Sequence, residues 1–198
     1  MRLRPFGPRA WLVDDLDDPI GWAAGLAEAA LPGVEAIIPS ERAVTVRTAR
    51  GQHDALGPML EVIESVPTRT SVAEPLTIEV VYDGADLADL AEATGLSTAE
   101  IVRLHSAGRY HVAFCGFSPG FGYLRGLDER LHVPRRSSPR TAVPAGSVGV
   151  AAGYTCVYPS ASPGGWHLIG HTTCELWNVE DDPPALMQPG RAVRFRVA

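Results

Sequence analysis

The sequence predicts two units: a small α+β domain over residues 1–75 and a mainly-β barrel over residues 76–198. Three observations carry this. Strand-like and helix-like segments alternate through the first third of the chain. A polar stretch from Val66 to Pro75, bounded by prolines, then interrupts them and reads as a linker. Beyond Gly108 no helical period remains, and turn residues recur every few positions between short apolar runs, the pattern of a barrel or sandwich.

Taken in order, Ala10–Val13 is a short apolar run that reads as a strand. Asp17, Asp18 and Pro19 open a helix to about Leu31, since acids suit the first turn and proline the first helical position. Val34–Ile38 and Ala43–Thr48 read as strands. A second helix starts near Asp54, with Leu56, Met59, Leu60 and Ile63 on one face and Pro58 in its first turn. Leu76–Tyr82 reads as a further strand. The order β-α-β-β-α-β is that of a ferredoxin-like unit.

From Asp83 the texture changes. Leu87, Leu90 and Ala91 form a helical face that stops at Gly95. Ser97 to Glu100 is a capping box ahead of Ile101 and Leu104, and Gly108 ends that helix. Tyr110, Val112 and Phe114 alternate with polar or small residues as a half-buried strand. Val143, Val148, Val150, Val157, Leu168, Ile169, Leu176, Val193, Phe195 and Val197 then sit on short strands.

Composition narrows the function classes. A net charge of −6 gives no basic face for nucleic acid. All 17 basic residues are arginine, which excludes a Walker A lysine, a Schiff base and a lysine general base. Cys115, Cys156 and Cys174 lack C-x-x-C spacing, so neither zinc nor a disulfide framework is indicated. No signal-peptide core and no 18-residue apolar run is present, and a reducing cytoplasm is the expected location, with no membrane partner.

The chain is organised around Phe114–Leu127, F-C-G-F-S-P-G-F-G-Y-L-R-G-L, in which four glycines alternate with three phenylalanines and a tyrosine. Glycine weakens a plain strand, and a linker would not carry so many rings, so this is a shaped loop between strands. Residues 139–171 share its grammar. Phe117, Pro119, Phe121, Tyr123, Tyr158 and Trp166 belong to these stretches. They read either as core or as an apolar groove that a partner covers. Arg135, Arg136 and Arg140 lie between them, either as a solvated turn or as an anion site. Arg140, beside Pro139 and a rigid T-A-V-P, is the better candidate. His167 and His171 are four apart but not on a helix, so no metal pair is expected. Ser147 in G-S-V-G lacks the strand–elbow–helix context of a nucleophile.

G-F-S-P-G-F-G-Y-L-R-G-L-D, P-R-R-S-S-P-R-T-A-V-P-A-G-S-V-G-V and Y-P-S-A-S-P-G-G-W-H-L-I-G-H-T together resemble the family of the B subunit of bacterial 5-oxoprolinase, which also holds Kip-type sensor-kinase inhibitors and the so-called allophanate hydrolase subunit 1. The resemblance implies a cyclophilin-like barrel. It implies a component that works with the A and C subunits to open the lactam of 5-oxoproline to glutamate at the expense of ATP. Mg2+ accompanies the ATP, which is bound by this chain or a partner. Arg136 and Arg140 match the family's R-x-x-P-R and are the expected catalytic arginines. Ser118, Ser147, Tyr154 and His171 are the expected substrate contacts. Tyr154 stands where the family usually has glutamine, and His171 where it often has arginine. The alternatives implied by the same family are a binding module that inhibits a histidine kinase and a subunit of another ATP-dependent amidohydrolase of the allophanate or urea type.

Overall fold

In a computed structural model, which describes residues 1–66 and 74–198, the chain divides into two compact units, Met1–Arg69 and Thr70–Ala198. Most of the expected linker lies outside the described residues.

The first unit runs β1 (Arg2–Pro5), β2 (Ala10–Asp14), α1 (Pro19–Ala29), β3 (Val34–Pro39), β4 (Val44–Thr48) and α2 (His53–Leu60). Its sheet has the order β1-β2-β4-β3, antiparallel throughout. Asp18 caps α1, its carboxylate accepting from the Gly21 amide at 2.8 Å, with Pro19 inside the first turn. Val13, Val44 and Val46 from the sheet meet Trp22 and Leu26 from α1 and Leu60 from α2 in one core. Glycine at 25 lets the chain after α2 cross α1 closely, because a Cβ there would strike the Glu64 carbonyl.

Three expectations are corrected here. The order is β-β-α-β-β-α, not the ferredoxin-like β-α-β-β-α-β. The extra strand, β1, pairs Leu3 with Val13 but carries arginine on either side of it, so no apolar period announced it. The strand at Leu76–Val80, counted in that order, belongs to the other sheet, inside the bounds expected for the barrel. In α2, Leu56 and Leu60 are buried but Met59 is 40% exposed, and the helix ends before Ile63, two residues past an interior Pro58.

The second unit contains β5 (Leu76–Val80), α3 (Leu87–Thr94), α4 (Thr98–Ala107), β6 (Tyr110–Cys115), β7 (Gly122–Arg125), β8 (Arg140–Val143), β9 (Ser147–Ala151), β10 (Tyr154–Val157), β11 (Ser162–Gly164), β12 (His167–His171) and β13 (Ala192–Val197). Seven strands form one sheet in the order β12-β9-β10-β7-β6-β13-β5, and β8 pairs with β11 separately. β5 runs parallel to β13, pairing Ile78 with Phe195 and Val80 with Val197. Just past β5, Val81 and His171 exchange backbone bonds of 2.9 Å in both directions, which brings the two edges together and nearly closes the barrel. All seven strands feed one core that includes Ile78, Val112, Leu124, Val148, Val157, Ile169 and Val193. Alternate residues of several of the same strands feed a second core around Phe121, Tyr154, Cys156, Tyr158 and Trp166. That is why every residue of β10 is buried. The Ser97 cap, whose hydroxyl accepts from the Glu100 amide, and the stop at Gly95 form as the sequence predicts, while the Glu100 carboxylate turns to Arg103 and Arg130.

Candidate functional site

The loop between β6 and β7 closes on itself. Gly116 N–H donates to the Phe121 carbonyl at 3.2 Å, Ser118 N–H to Gly116 at 2.9 Å and Phe121 N–H to Ser118 at 3.1 Å. The closure forces Phe117 to φ 71, a region that bulky residues avoid, and holds its ring 61% exposed. Gly120, at φ 76, lies against Trp177, where a Cβ would approach to 2.8 Å. The Phe117 ring meets Phe121 edge-on at 5.3 Å. Phe121 meets Tyr158 at 5.3 Å and Trp166 at 6.1 Å, and Tyr123 meets Trp166 at 5.7 Å. These rings, with Arg135, Pro163, Gly164 and Gly165, line a small cleft. Gly164 is required there, since a side chain would collide with the Tyr158 hydroxyl.

Phe121, Tyr158 and Trp166, expected as an open partner face, are only 2%, 2% and 5% exposed. They are walls of the cleft and part of the second core, because each packs its ring edge-on against another. Only Phe117 and Pro119 of that expected set stand outside.

The arginines sort differently from the sequence reading. Arg136 Nη1 and Arg140 Nη2 both donate to Asp86 Oδ1 at 2.6 Å. Asp86 is 1% exposed. Its other oxygen accepts the Leu168 amide at 2.7 Å, and its own amide donates to the Leu168 carbonyl at 2.9 Å. Burial alone would push its carboxyl up, but the Arg140 bond, the Leu168 amide and the two guanidinium charges outweigh it and hold the pKa below the usual carboxylate value. The same bond raises Arg140 above its ordinary value. Arg136 and Arg140 are therefore ion-paired with a buried acid rather than free clamps. This corrects the expectation that they stand open to an anion.

Arg135 is the arginine left over. Its guanidinium lies 6.0 Å from the Trp166 ring centroid, over the cleft, and no acid is among the lining residues. Its backbone neighbour is fixed, since Arg136 N–H donates to the Gly165 carbonyl at 2.8 Å. The sequence placed Arg135 with the other two but gave no reason to single it out. Only the fold says which of the adjacent side chains meets the rings.

The expected substrate contacts are not gathered at the cleft. Ser118 is in the loop with a buried hydroxyl that has no hydrogen-bond partner among the described residues. Ser147 is 6% exposed at the start of β9, opposite His171 in register. His171 is exposed and its Nδ1 lies 2.8 Å from Asp83. Tyr154 accepts from Arg125 at 3.3 Å and packs on Phe114 and Tyr123. Cys115, four residues from His111, bonds the Met187 carbonyl, and burial pushes its thiol up to about 11, so it is no ready nucleophile. Among the described residues no group of three or more His, Cys, Asp or Glu is placed to hold a metal ion, and no helix is long and apolar enough to cross a membrane.

The sequence also missed a buried polar chain. Thr155 Oγ1 donates to the Gly149 carbonyl at 3.0 Å, so it accepts from His105 Nε2 at 2.8 Å, and His105 Nδ1 in turn accepts from Tyr82 at 2.7 Å. The assignment makes His105 neutral, and burial holds its pKa down to about 3.

A family model described as "Carboxyltransferase domain, subdomain C and D" matches residues 1–187. The chain is 45% identical over 172 residues to the 5-oxoprolinase B subunit of Escherichia coli O157:H7, covering 83% of this chain and 78% of that protein. It is 41% identical over 140 residues to the 5-oxoprolinase B subunit of Bacillus subtilis (strain 168), covering 69% and 57%. Among solved structures, TTHA0988 superposes with a TM-score of 0.83 at 30% identity, across 96% of this chain but only 40% of that one. The conserved uncharacterized protein PH0987 from Pyrococcus horikoshii gives 0.62 at 30% identity, covering 100% and 97%. Urea carboxylase of Kluyveromyces lactis gives 0.72 at 17% identity over 21% of its length, a likeness of fold.

Proposed function

This chain belongs to the family of the 5-oxoprolinase B subunit, within the carboxyltransferase-domain family of subdomains C and D, and on that premise we propose that it is a component of an ATP-dependent complex that opens the lactam of 5-oxoproline to glutamate. The observation that carries the reading is the 45% identity to a named 5-oxoprolinase component across most of both chains. The partners are homologues of the A and C subunits, and the complex works in the cytoplasm.

The chemistry explains why one chain does not suffice. An unactivated lactam is a poor electrophile; with its oxygen phosphorylated, water can add to the ring carbon, the C–N bond breaks as nitrogen takes up a proton, and the acyl phosphate that results is hydrolysed to glutamate and phosphate. Such a step needs positive charge around the phosphoryl group. With no lysine in the chain and no metal-ligand group among the described residues, no step is assigned to ATP or Mg2+ on this chain. Its own contribution is to hold the substrate. Asp86, Arg136 and Arg140 act together as a brace that fixes the 134–140 segment, and they are positioning residues in this reading.

Co-expression with homologues of the A and C subunits, followed by an assay of glutamate from 5-oxoproline with and without ATP, tests the proposal. Activity is expected only from the assembled complex with ATP. A stable, assembled complex that converts no 5-oxoproline would overturn it.

A further inference from the structure

We propose that the aromatic cleft around Arg135 is a binding site for a small ring-bearing carboxylate, with the ring against Phe117, Tyr123 and Trp166 and the carboxylate on the Arg135 guanidinium. Only the choice of 5-oxoproline as ligand rests on the functional reading above; the site itself rests on the geometry.

Charge is the first argument. Two of the three clustered arginines share a buried aspartate at 2.6 Å, while Arg135 faces a lining with no acid in it. A guanidinium fork without a carboxylate, over an indole face, is complementary to an incoming anion. Among the described residues the lining holds one cation, which sets the ligand's charge: one carboxylate is matched, and a triphosphate is not. Shape is the second argument. The cleft is small, below the roughly 300 Å³ at which drug-sized ligand sites start, so only a compact ligand fits it. Its lining is mostly flat rings, with Gly164 and Gly165 adding no side chains, so a compact flat body fits against it. Preorganisation is the third. The rim ring, Phe117, is held outward by a strained, hydrogen-bonded loop, and Arg135 is carried on a segment tied to Gly165 by backbone and to Asp86 by its neighbour's side chain. An apolar ring held exposed at a strained residue, next to a cation with no acid among the described lining residues, is a poor design for a solvated turn and a good one for a clamp.

The test is calorimetric titration of the full chain with 5-oxoproline, cyclopentanecarboxylate and the neutral lactam 2-pyrrolidinone. Both acids should bind, and the neutral lactam at least about tenfold more weakly, the loss expected for one charge-assisted pair. Arg135→Gln should weaken both acids by about the same factor and leave the lactam unchanged. Arg135→Lys should recover part of the loss. In the assembled complex, Arg135→Gln should raise KM for 5-oxoproline more than it lowers kcat. Equal binding of the acids and the lactam, or acids unaffected by Arg135→Gln, would overturn the site. So would acids that bind the free chain while KM in the complex stays at the wild-type value, because a partner subunit then occupies the cleft. A complex with no 5-oxoprolinase activity whose ring acids still depend on Arg135 would remove the functional reading and leave the site standing.

Discussion

At the scale of single residues, the second unit is governed by two buried polar groups that titrate in the same direction but in different windows. Asp86 has a folded pKa below its unfolded one, so its ion pairs contribute fully above about pH 4 and are lost as the pH falls further. His105 is neutral in the fold at a pKa of about 3. The unfolded chain takes up a proton there near pH 6.5, so stability falls by about 1.4 kcal/mol for each pH unit below that value. Urea titrations at pH 7.5, 5.5 and 4.5 should therefore show a decline that starts well above the carboxylate range, and His105→Gln should flatten it. An unchanged pH slope in His105→Gln would remove the histidine as its cause. Asp86→Ala is a separate prediction. It strands two partly buried guanidiniums and an amide, and should cost about 3–5 kcal/mol in denaturant unfolding. None of this was legible in the sequence. Nothing in the sequence singles out Asp86, and Arg136 and Arg140 show their charge without their partner. Which arginine is spent internally and which is left for a ligand depends on an acid fifty residues away in the chain.

At the scale of elements, local signals were readable and pairing was not. The Ser97 cap, the stops at Gly95 and Gly108 and the Asp18 cap are written within four residues of each helix end. By contrast, Leu76–Val80 announces through its period of two that one face is buried, but not which sheet buries it. β1 hides because an edge strand needs few apolar residues and tolerates arginine. Glycines separate these two kinds of information experimentally. Gly95 sits at φ 70 with open space around it, so Gly95→Ala should cost only conformational strain, about 1 kcal/mol. Gly84 faces the backbone of Leu168 to Gly170, where a Cβ meets main-chain atoms that cannot step aside. Gly84→Ala should therefore cost clearly more than Gly95→Ala, measured as the shift in thermal midpoint. Equal shifts would mean that the approach of residue 84 to β12 is not tight in solution.

For the whole molecule, the question is what completes the barrel. Each strand of the seven-stranded sheet finds its ladder partners within Thr70–Ala198. The closing contacts come from β5 and the residue after it, through the parallel ladder with β13 and the Val81–His171 bridge. The change of texture that the sequence shows at Asp83 therefore comes later than the structural requirement, because a barrel's first strand and its last are neighbours in space but not in sequence. Two fragments distinguish these boundaries. A fragment of residues 74–198 keeps β5 and should fold alone, with β-rich circular dichroism and one cooperative melting transition. A fragment of residues 83–198 loses β5, exposes the apolar residues of β13 along an open edge, and should be unfolded or aggregated. The longer fragment melting without a transition would show that the second unit depends on the first. A shorter fragment that melts as cooperatively as the longer one would show that β5 is an accessory to the barrel rather than the strand that closes it.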